Sequence, residues 1–299
     1  MLDIKKLKPS SRSRDKFQVL EFDSLDECIQ YGEQPVSKNW KGENEKRNSR
    51  REGADETKFR GSKSWAESKQ LASFGWKEGR ELVDASLAAI FESGASQIES
   101  AQVESFGVAG AFPDVPLYLA GEIAHMRLEG EDNQDASQII KLIIDIGAHC
   151  GINKKSIANR GAAVAALVDE IESTGKRCEI WATLGTQSKM KTLYTFICAK
   201  KSGEPMDIDK VAYAIGHPSM LRRIMFAVIE SCPFTDNSNY ESAYGGVIAP
   251  NAEAIPNDTI YIKHMDSDSG YKTPAQAMET IRGLYEKEAS TKGLTEVAL

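Results

Sequence analysis

The sequence predicts an α/β fold: a three-layer sandwich with a mostly parallel sheet and an antiparallel edge strand, preceded by a mainly helical and irregular N-terminal region. Three observations carry that expectation. The run Ile139-Ile140-Lys141-Leu142-Ile143-Ile144-Asp145-Ile146 has the length and β-branched content of a buried strand. After the polar turn Gly147-Ala148-His149-Cys150-Gly151, apolar residues recur at Ile157, Gly161, Val164, Val168 and Ile171, which puts an apolar face along one side of a helix. Gly175 then supplies a helix stop, and 177–183 reads as a second strand, completing a βαβ unit whose parallel strands need cover on both faces.

The remaining elements follow from local signals. The strand at 192–199 lies about eight residues beyond Thr183, too few for a parallel crossover, so it forms a hairpin with its predecessor. Asp207 to Ile215 is a short helix, and Pro218 suits the first turn of the next one, whose face is Leu221, Ile224, Met225 and Val228. Residues 231–257 read as loop and 258–262 as a late strand. Thr273-Pro274 caps a final helix carrying Met278, Ile281, Leu284 and Tyr285.

Earlier in the chain, 17–22 suits a short strand. Ser24-Leu25-Asp26-Glu27 and Ser64-Trp65-Ala66-Glu67 both have the form of a capping box. A further helix is expected from Glu78 to Glu92. The stretch Ser37 to Lys63 shows neither helix nor strand period, and reads as a long exposed loop of the length that is usually functional or disordered. The apolar, Gly- and Pro-punctuated run 108–121 is expected to be an irregular segment buried against the sheet. The divisions are 1–63, a basic and partly disordered arm and loop; 64–133, helical and irregular; and 134–299, the α/β domain.

Composition narrows the function. No apolar run approaches the length of a membrane span, and the first residues lack a signal segment, so the expected location is the cytoplasm, or the host cytoplasm if the protein is viral. Five widely spaced cysteines, with no Cys-x-x-Cys pair, read as buried reduced thiols. The net charge is −7, but residues 1–80 hold 18 Lys and Arg against 14 Asp and Glu, which leaves a balance of −11 on the rest. A polyanion would therefore meet the N-terminal quarter and be repelled elsewhere.

Within that quarter, Lys38, Lys41, Lys46, Arg47, Arg50, Arg51, Lys58, Arg60 and Lys63 are interleaved with Trp40, Phe59 and Trp65. Cations that track phosphates and flat rings that stack on bases are what single-stranded nucleic acid requires. The competing interpretation is a solvated loop whose rings tuck inward while Glu43, Glu45, Glu52, Asp55 and Glu56 cancel the charge. Arg222 and Arg223, at the start of a helix after His217-Pro218, are open between phosphate and a partner carboxylate. Successive helical residues point about 100° apart, so at most one of the two is expected to face inward, with surface solvation as the commoner fate. Arg160 is open between an ion pair with Asp145 and a ligand contact. Asp145, His149 and Cys150 sit at the carboxyl end of a strand, where α/β sheets place ligands. Phosphate-loop, serine-hydrolase and zinc-protease motifs are all missing, and neither a metal, a cofactor nor catalytic residues are expected.

The order strand, helix, strand, antiparallel strand, helices, strand, helix from about residue 136 onward resembles a von Willebrand factor A-like domain. Asp145 ends the first strand, but both serines of that family's Asp-x-Ser-x-Ser are replaced in Asp145-Ile146-Gly147-Ala148-His149, so its metal site is not carried over. The segments 75–79, Val108-Ala109-Gly110, Pro113-Asp114-Val115-Pro116, Leu119-Ala120-Gly121-Glu122, Asn159-Arg160-Gly161-Ala162-Ala163 and His217-Pro218-Ser219-Met220-Leu221-Arg222-Arg223 resemble a family of phage-encoded proteins, and more loosely phage single-stranded-DNA-binding proteins of replication and transcription. That resemblance implies an accessory, non-enzymatic protein. Its partners would be single-stranded DNA, replication or transcription proteins, or further copies of itself as a homo-oligomer. The alternative is a structural or assembly protein acting through protein contacts.

Overall fold

The computed structural model describes residues 16–35, 48–92, 106–108, 112–113, 115–127, 139–173, 175–188, 191–234, 246–250, 255 and 257–292. The N-terminal part contains β1 (Lys16–Phe22), α1 (Leu25–Glu33), a 3-10 turn (Asn48–Arg50), α2 (Ala54–Arg60), α3 (Trp65–Phe74) and α4 (Lys77–Glu92). A small unit follows: β2 (Phe106–Gly107), β3 (Phe112–Pro113), α5 (Val115–Leu119) and β4 (Met126–Arg127). The main α/β part has β5 (Ile139–Asp145), α6 (Lys154–Ser173), β6 (Arg177–Ser188), β7 (Lys191–Lys200) and α7 (Ile208–Gly216). After these come a π-helical turn (Met220–Met225), α8 (Phe226–Ser231), β8 (Gly246–Val247), β9 (Thr259–Ile262) and α9 (Pro274–Thr291).

The main sheet runs in the order β1-β7-β6-β5-β9. Pairing is parallel for β5 with β6, β5 with β9 and β1 with β7, and antiparallel for β6 with β7. The molecule is thus a mixed α/β protein around a mostly parallel sheet. The predicted βαβ unit and hairpin are both present, and the short β8 pairs with the end of β6. The short strand expected at 17–22 is present as Lys16–Phe22 and forms the edge of this sheet, in register from Lys16–Lys191 to Phe22–Ile197. The sheet therefore takes strands from both sides of the expected boundary near residue 133.

Alternation along β5 separates two cores. Ile140, Leu142 and Ile144 face a large cluster that also holds α1, α3, α4, α6, α7, α8 and α9, with Cys28, Val83, Val164, Tyr213, Val228 and Ile281 among its buried members. Ile143 faces a smaller cluster of Trp181, Tyr194, Phe196, Cys198 and Ile255, with Ile248 packed on it. No helical residue belongs to this second cluster among the described residues. The helices that share a core with the sheet, α1, α3, α4 and α6 to α9, thus lie on one face, and a helical layer on the other face is not found among the described residues.

Helix α6 is the centre of the large cluster. The expected single apolar face understates it, because its buried residues run almost without break from Ser156 to Val168. A helix covered on all sides belongs inside a larger protein. Small residues make this possible. A Cβ added to Gly161 would sit 2.0 Å from the Gly216 Cα, so the backbones of α6 and α7 touch there.

Both serine caps form, while Glu27 and Glu67 reach back one residue further than a capping box requires, to the Asp23 and Lys63 N–H groups. Ser24 accepts from the Glu27 N–H at 3.2 Å, and Ser64 from the Glu67 N–H at 3.1 Å. Thr273 caps α9 in the same way, with Pro274 in its first turn. Two expectations fail. The stretch 37–63 is not without regular structure, since 48–50 and 54–60 are helical, held by tertiary contacts rather than by an apolar period. In its described residues the run 108–121 is not buried against the sheet: Val108, Val115, Tyr118 and Leu119 are exposed. An apolar run signals burial only if the chain brings something to cover it.

Candidate functional site

Two clusters of polar side chains stand out, and each is assembled from distant parts of the chain. The first is at the carboxyl edge of the parallel strands. Asp145, the last residue of β5, is fully buried. It accepts from the Gly147 N–H at 2.9 Å, the Tyr261 hydroxyl at 2.8 Å and His264 Nδ1 at 3.2 Å. On the far side of the ring, His264 Nε2 lies 3.1 Å from Asp266 Oδ1, and Lys263 holds the other oxygen of Asp266 at 3.0 Å.

Arg160, reaching in from α6, is buried and donates from Nη2 to the Lys263 carbonyl at 2.7 Å, while its Nε has no hydrogen-bond partner. Burial lowers the Arg160 pKa, and nearby Tyr271 and Asp145 oppose that shift. Of the two uses weighed for Arg160, the ion pair with Asp145 is replaced by a backbone contact within the field of that carboxylate. The Tyr261 pKa is raised, first by burial and then by the Asp145 charge. The His264 pKa is raised, first by its hydrogen bond to Asp145.

The strand-end rule located Asp145 correctly but gave it the wrong neighbour. His149 is exposed and engages its own turn, accepting from the Gly151 N–H at 3.2 Å with Cys150 Sγ at 3.8 Å. The partners of Asp145 come instead from β9 and the loop after it. Their only sequence signal is a Tyr and a His three residues apart at a strand end, too common a pattern to single out. Among the described residues, no group of three or more His, Cys, Asp or Glu is placed to hold a metal ion. None of the five cysteines is in a disulfide, and only Cys150 is exposed. At the opposite edge of the sheet, a cleft of about 200 Å³ is lined by Asp23, Ala72, Cys198, Lys200, Lys201 and Lys210, among others.

The second cluster contains the described members of the basic-aromatic stretch. Lys38, Trp40, Lys41, Lys46 and Arg47 lie outside the described residues. Of the others, Arg60, Arg222 and Arg223 are buried. Arg223 donates from Nε to the Ser62 hydroxyl at 2.8 Å, from Nη1 to the Ser49 and Arg51 carbonyls at 3.0 Å each, and from Nη2 to the Ser62 carbonyl at 3.0 Å. Arg222 donates to the Phe59 carbonyl at 2.7 Å and the Ile152 carbonyl at 2.9 Å, and its guanidinium lies 4.1 Å over the Phe59 ring. Burial lowers the pKa of Arg222 to about 10.

Arg60 donates to Glu56 at 2.6 Å, to Asn48 Oδ1 at 3.1 Å and to the Arg222 carbonyl. Buried Glu230 accepts from the Ser49 N–H at 2.9 Å and hydroxyl at 2.5 Å. Arg50 lies over the Trp65 ring and donates to the Gly32 carbonyl at 3.1 Å, and Trp65 Nε1 donates to Glu33 at 3.2 Å.

The expectation that only one of Arg222 and Arg223 faces inward is overturned, as is their solvation at the surface. Both lie in the π-helical turn, whose wider winding sets successive side chains closer in angle. The 48–63 segment then covers both. The carbonyls of Ser49, Arg51, Phe59 and Ser62, at the ends of its two short helical turns and beyond them, need donors, and a planar guanidinium offers five in a fixed fork. Among the predicted nucleic-acid contacts that are described, Arg51, Lys58 and Lys63 remain exposed.

The fold and these two clusters define a mixed α/β protein whose buried charges knit its own segments together. The chain belongs to the family described as a domain of unknown function (DUF7192), whose model matches residues 7–288. No curated protein and no solved structure matches it. No helix among the described residues is long and apolar enough to cross a membrane.

Proposed function

We propose that this is a non-enzymatic assembly protein that associates with further copies of itself through the unit at 106–127. One observation carries this reading: Val108, Val115, Tyr118, Leu119 and Ile123, within sixteen residues of chain, are each more than half exposed. The largest apolar patch on a typical monomer is only about 300–600 Å² and is itself often functional. A second copy is the occupant that fits, because apolar side chains can meet their own equivalents across a two-fold axis. The inward commitment of Arg60, Arg222 and Arg223 supports the same reading, because it removes cations that a polyanion would need.

The scaffold behind this surface we take to be of the von Willebrand factor A-like type. The strand order β7-β6-β5-β9, antiparallel β7 and an Asp closing β5 support that assignment. A second reading, single-stranded-DNA binding in a phage replication or transcription setting, is favoured by Arg51, Lys58 and Lys63, which stay exposed on the basic segment.

Sedimentation velocity on the purified chain tests the first reading. The expected result is a dimer or larger species at micromolar concentration that Leu119→Asp with Ile123→Asp converts to monomer at unchanged thermal stability. A wild-type monomer at every concentration overturns it. Titration of tryptophan fluorescence with oligonucleotides at several salt concentrations tests the second. Salt-sensitive quenching lost on Lys58→Glu with Lys63→Glu would establish it, and no quenching would retire it.

A further inference from the structure

The two carboxylates around His264 fix its protonation state. A neutral imidazole carries one N–H and one lone pair. With Nδ1 at 3.2 Å from Asp145 and Nε2 at 3.1 Å from Asp266, either tautomer would turn a lone pair toward a carboxylate oxygen. Only the imidazolium donates to both. We infer that His264 is a doubly protonated clamp tying the β9–α9 loop to the end of β5, and that this loop loosens locally when the ring loses its proton.

The charged groups that act on the ring are Asp145 at the end of β5 and, in the loop itself, Asp266 and Lys263. Tyr261 of β9, Arg160 of α6 and Tyr194 of β7 act on Asp145 behind it. Lys263 opposes a charged ring. Arg160 is directed at the Lys263 carbonyl and Lys263 at the outer oxygen of Asp266, so neither donates to the ring. The balance raises the ring above the ordinary histidine value of 6.5.

Because the folded value is above the unfolded one, the clamp is complete below pH 6.5 and is lost as the pH rises through the folded value. Release stays local. Asp268 accepts from the Asn153 N–H at 3.1 Å and Asn159 donates to the Tyr271 carbonyl at 2.9 Å, which hold the far end of the loop. The Met265 N–H, donated to the Gly147 carbonyl at 3.0 Å, is the amide whose protection reports the release.

Heteronuclear NMR of the imidazoles from about pH 5 to about pH 9 tests this, with His264 assigned by its loss in His264→Gln. The expected ring protonates on both nitrogens and titrates above 6.5. Hydrogen-exchange protection of 263–268, corrected for intrinsic rate, should fall with the same midpoint, and that step should be missing in His264→Gln. Asp266→Asn, changed on the exposed side so that the buried carboxylate is spared, should lower the ring's midpoint while the fold is kept. A midpoint at or below 6.5, a midpoint unmoved by Asp266→Asn, or loop protection that ignores the ring would each overturn the proposal.

Discussion

At the scale of the residue, arginine is used in this protein as a fastener. Arg223 is the largest fully buried side chain among the described residues, and it satisfies three carbonyls and a hydroxyl of the 48–63 segment. Deleting it would leave those groups buried without donors, a cost set by desolvation rather than by the bonds themselves. Arg223→Ala is therefore expected to lower stability by about 3 kcal/mol, measured as a shift of the urea midpoint at constant m-value. Arg223→Lys should recover only part of this, because a single ammonium cannot reproduce the fork. A wild-type midpoint in either variant would contradict this role. Composition shows where the cations are dense, but it cannot show which way they turn.

At the scale of the element, glycine placement separates what is packed from what is exposed. Gly161 and Gly216 let α6 and α7 meet backbone to backbone, and a methyl at Gly161 has no room. Gly161→Ala should destabilise by about 3 kcal/mol, at the upper end of overpacking costs, because both neighbours are backbone and cannot yield cheaply. Gly283, inside α9, has open space where its Cβ would be, so Gly283→Ala should stabilise by about 0.5–1 kcal/mol through helix propensity. Thermal melts of both variants check the pair, and equal effects would refute the assignment of α6 as the central helix. The elements themselves were largely legible beforehand: the βαβ unit, the hairpin, three caps and the last strand and helix all follow from period and punctuation. What was not legible was α2, whose charged sequence has no apolar period and which is held by Arg60 and Arg222.

At the scale of the whole molecule, the sheet joins chain segments that sequence reasoning separates. β1 and β7 pair across more than 170 residues, and α1, α3 and α4 share one core with α6 and α9. Unfolding should therefore be a single transition, with far-UV circular dichroism and tryptophan fluorescence coinciding, because Trp65 and Trp76 precede residue 133 and Trp181 follows it. An early fluorescence transition that leaves the sheet intact would mean that 16–92 is a separate unit. The proposed self-association through 106–127 belongs to this scale as well, because it depends on a surface that only the assembled chain leaves uncovered.

Local sequence determined the order of strands and helices, the position of Asp145 at a strand end, the capping residues and the charge imbalance of the first 80 residues. These depend on neighbours within one or two turns of chain, where period and turn chemistry suffice. Tertiary structure alone decided that Asp145 meets His264 rather than His149, that adjacent arginines both turn inward, and that the apolar run at 108–121 stays exposed. Each of these depends on which distant segment arrives to supply a donor, a carboxylate or a cover, and no local pattern encodes that arrival.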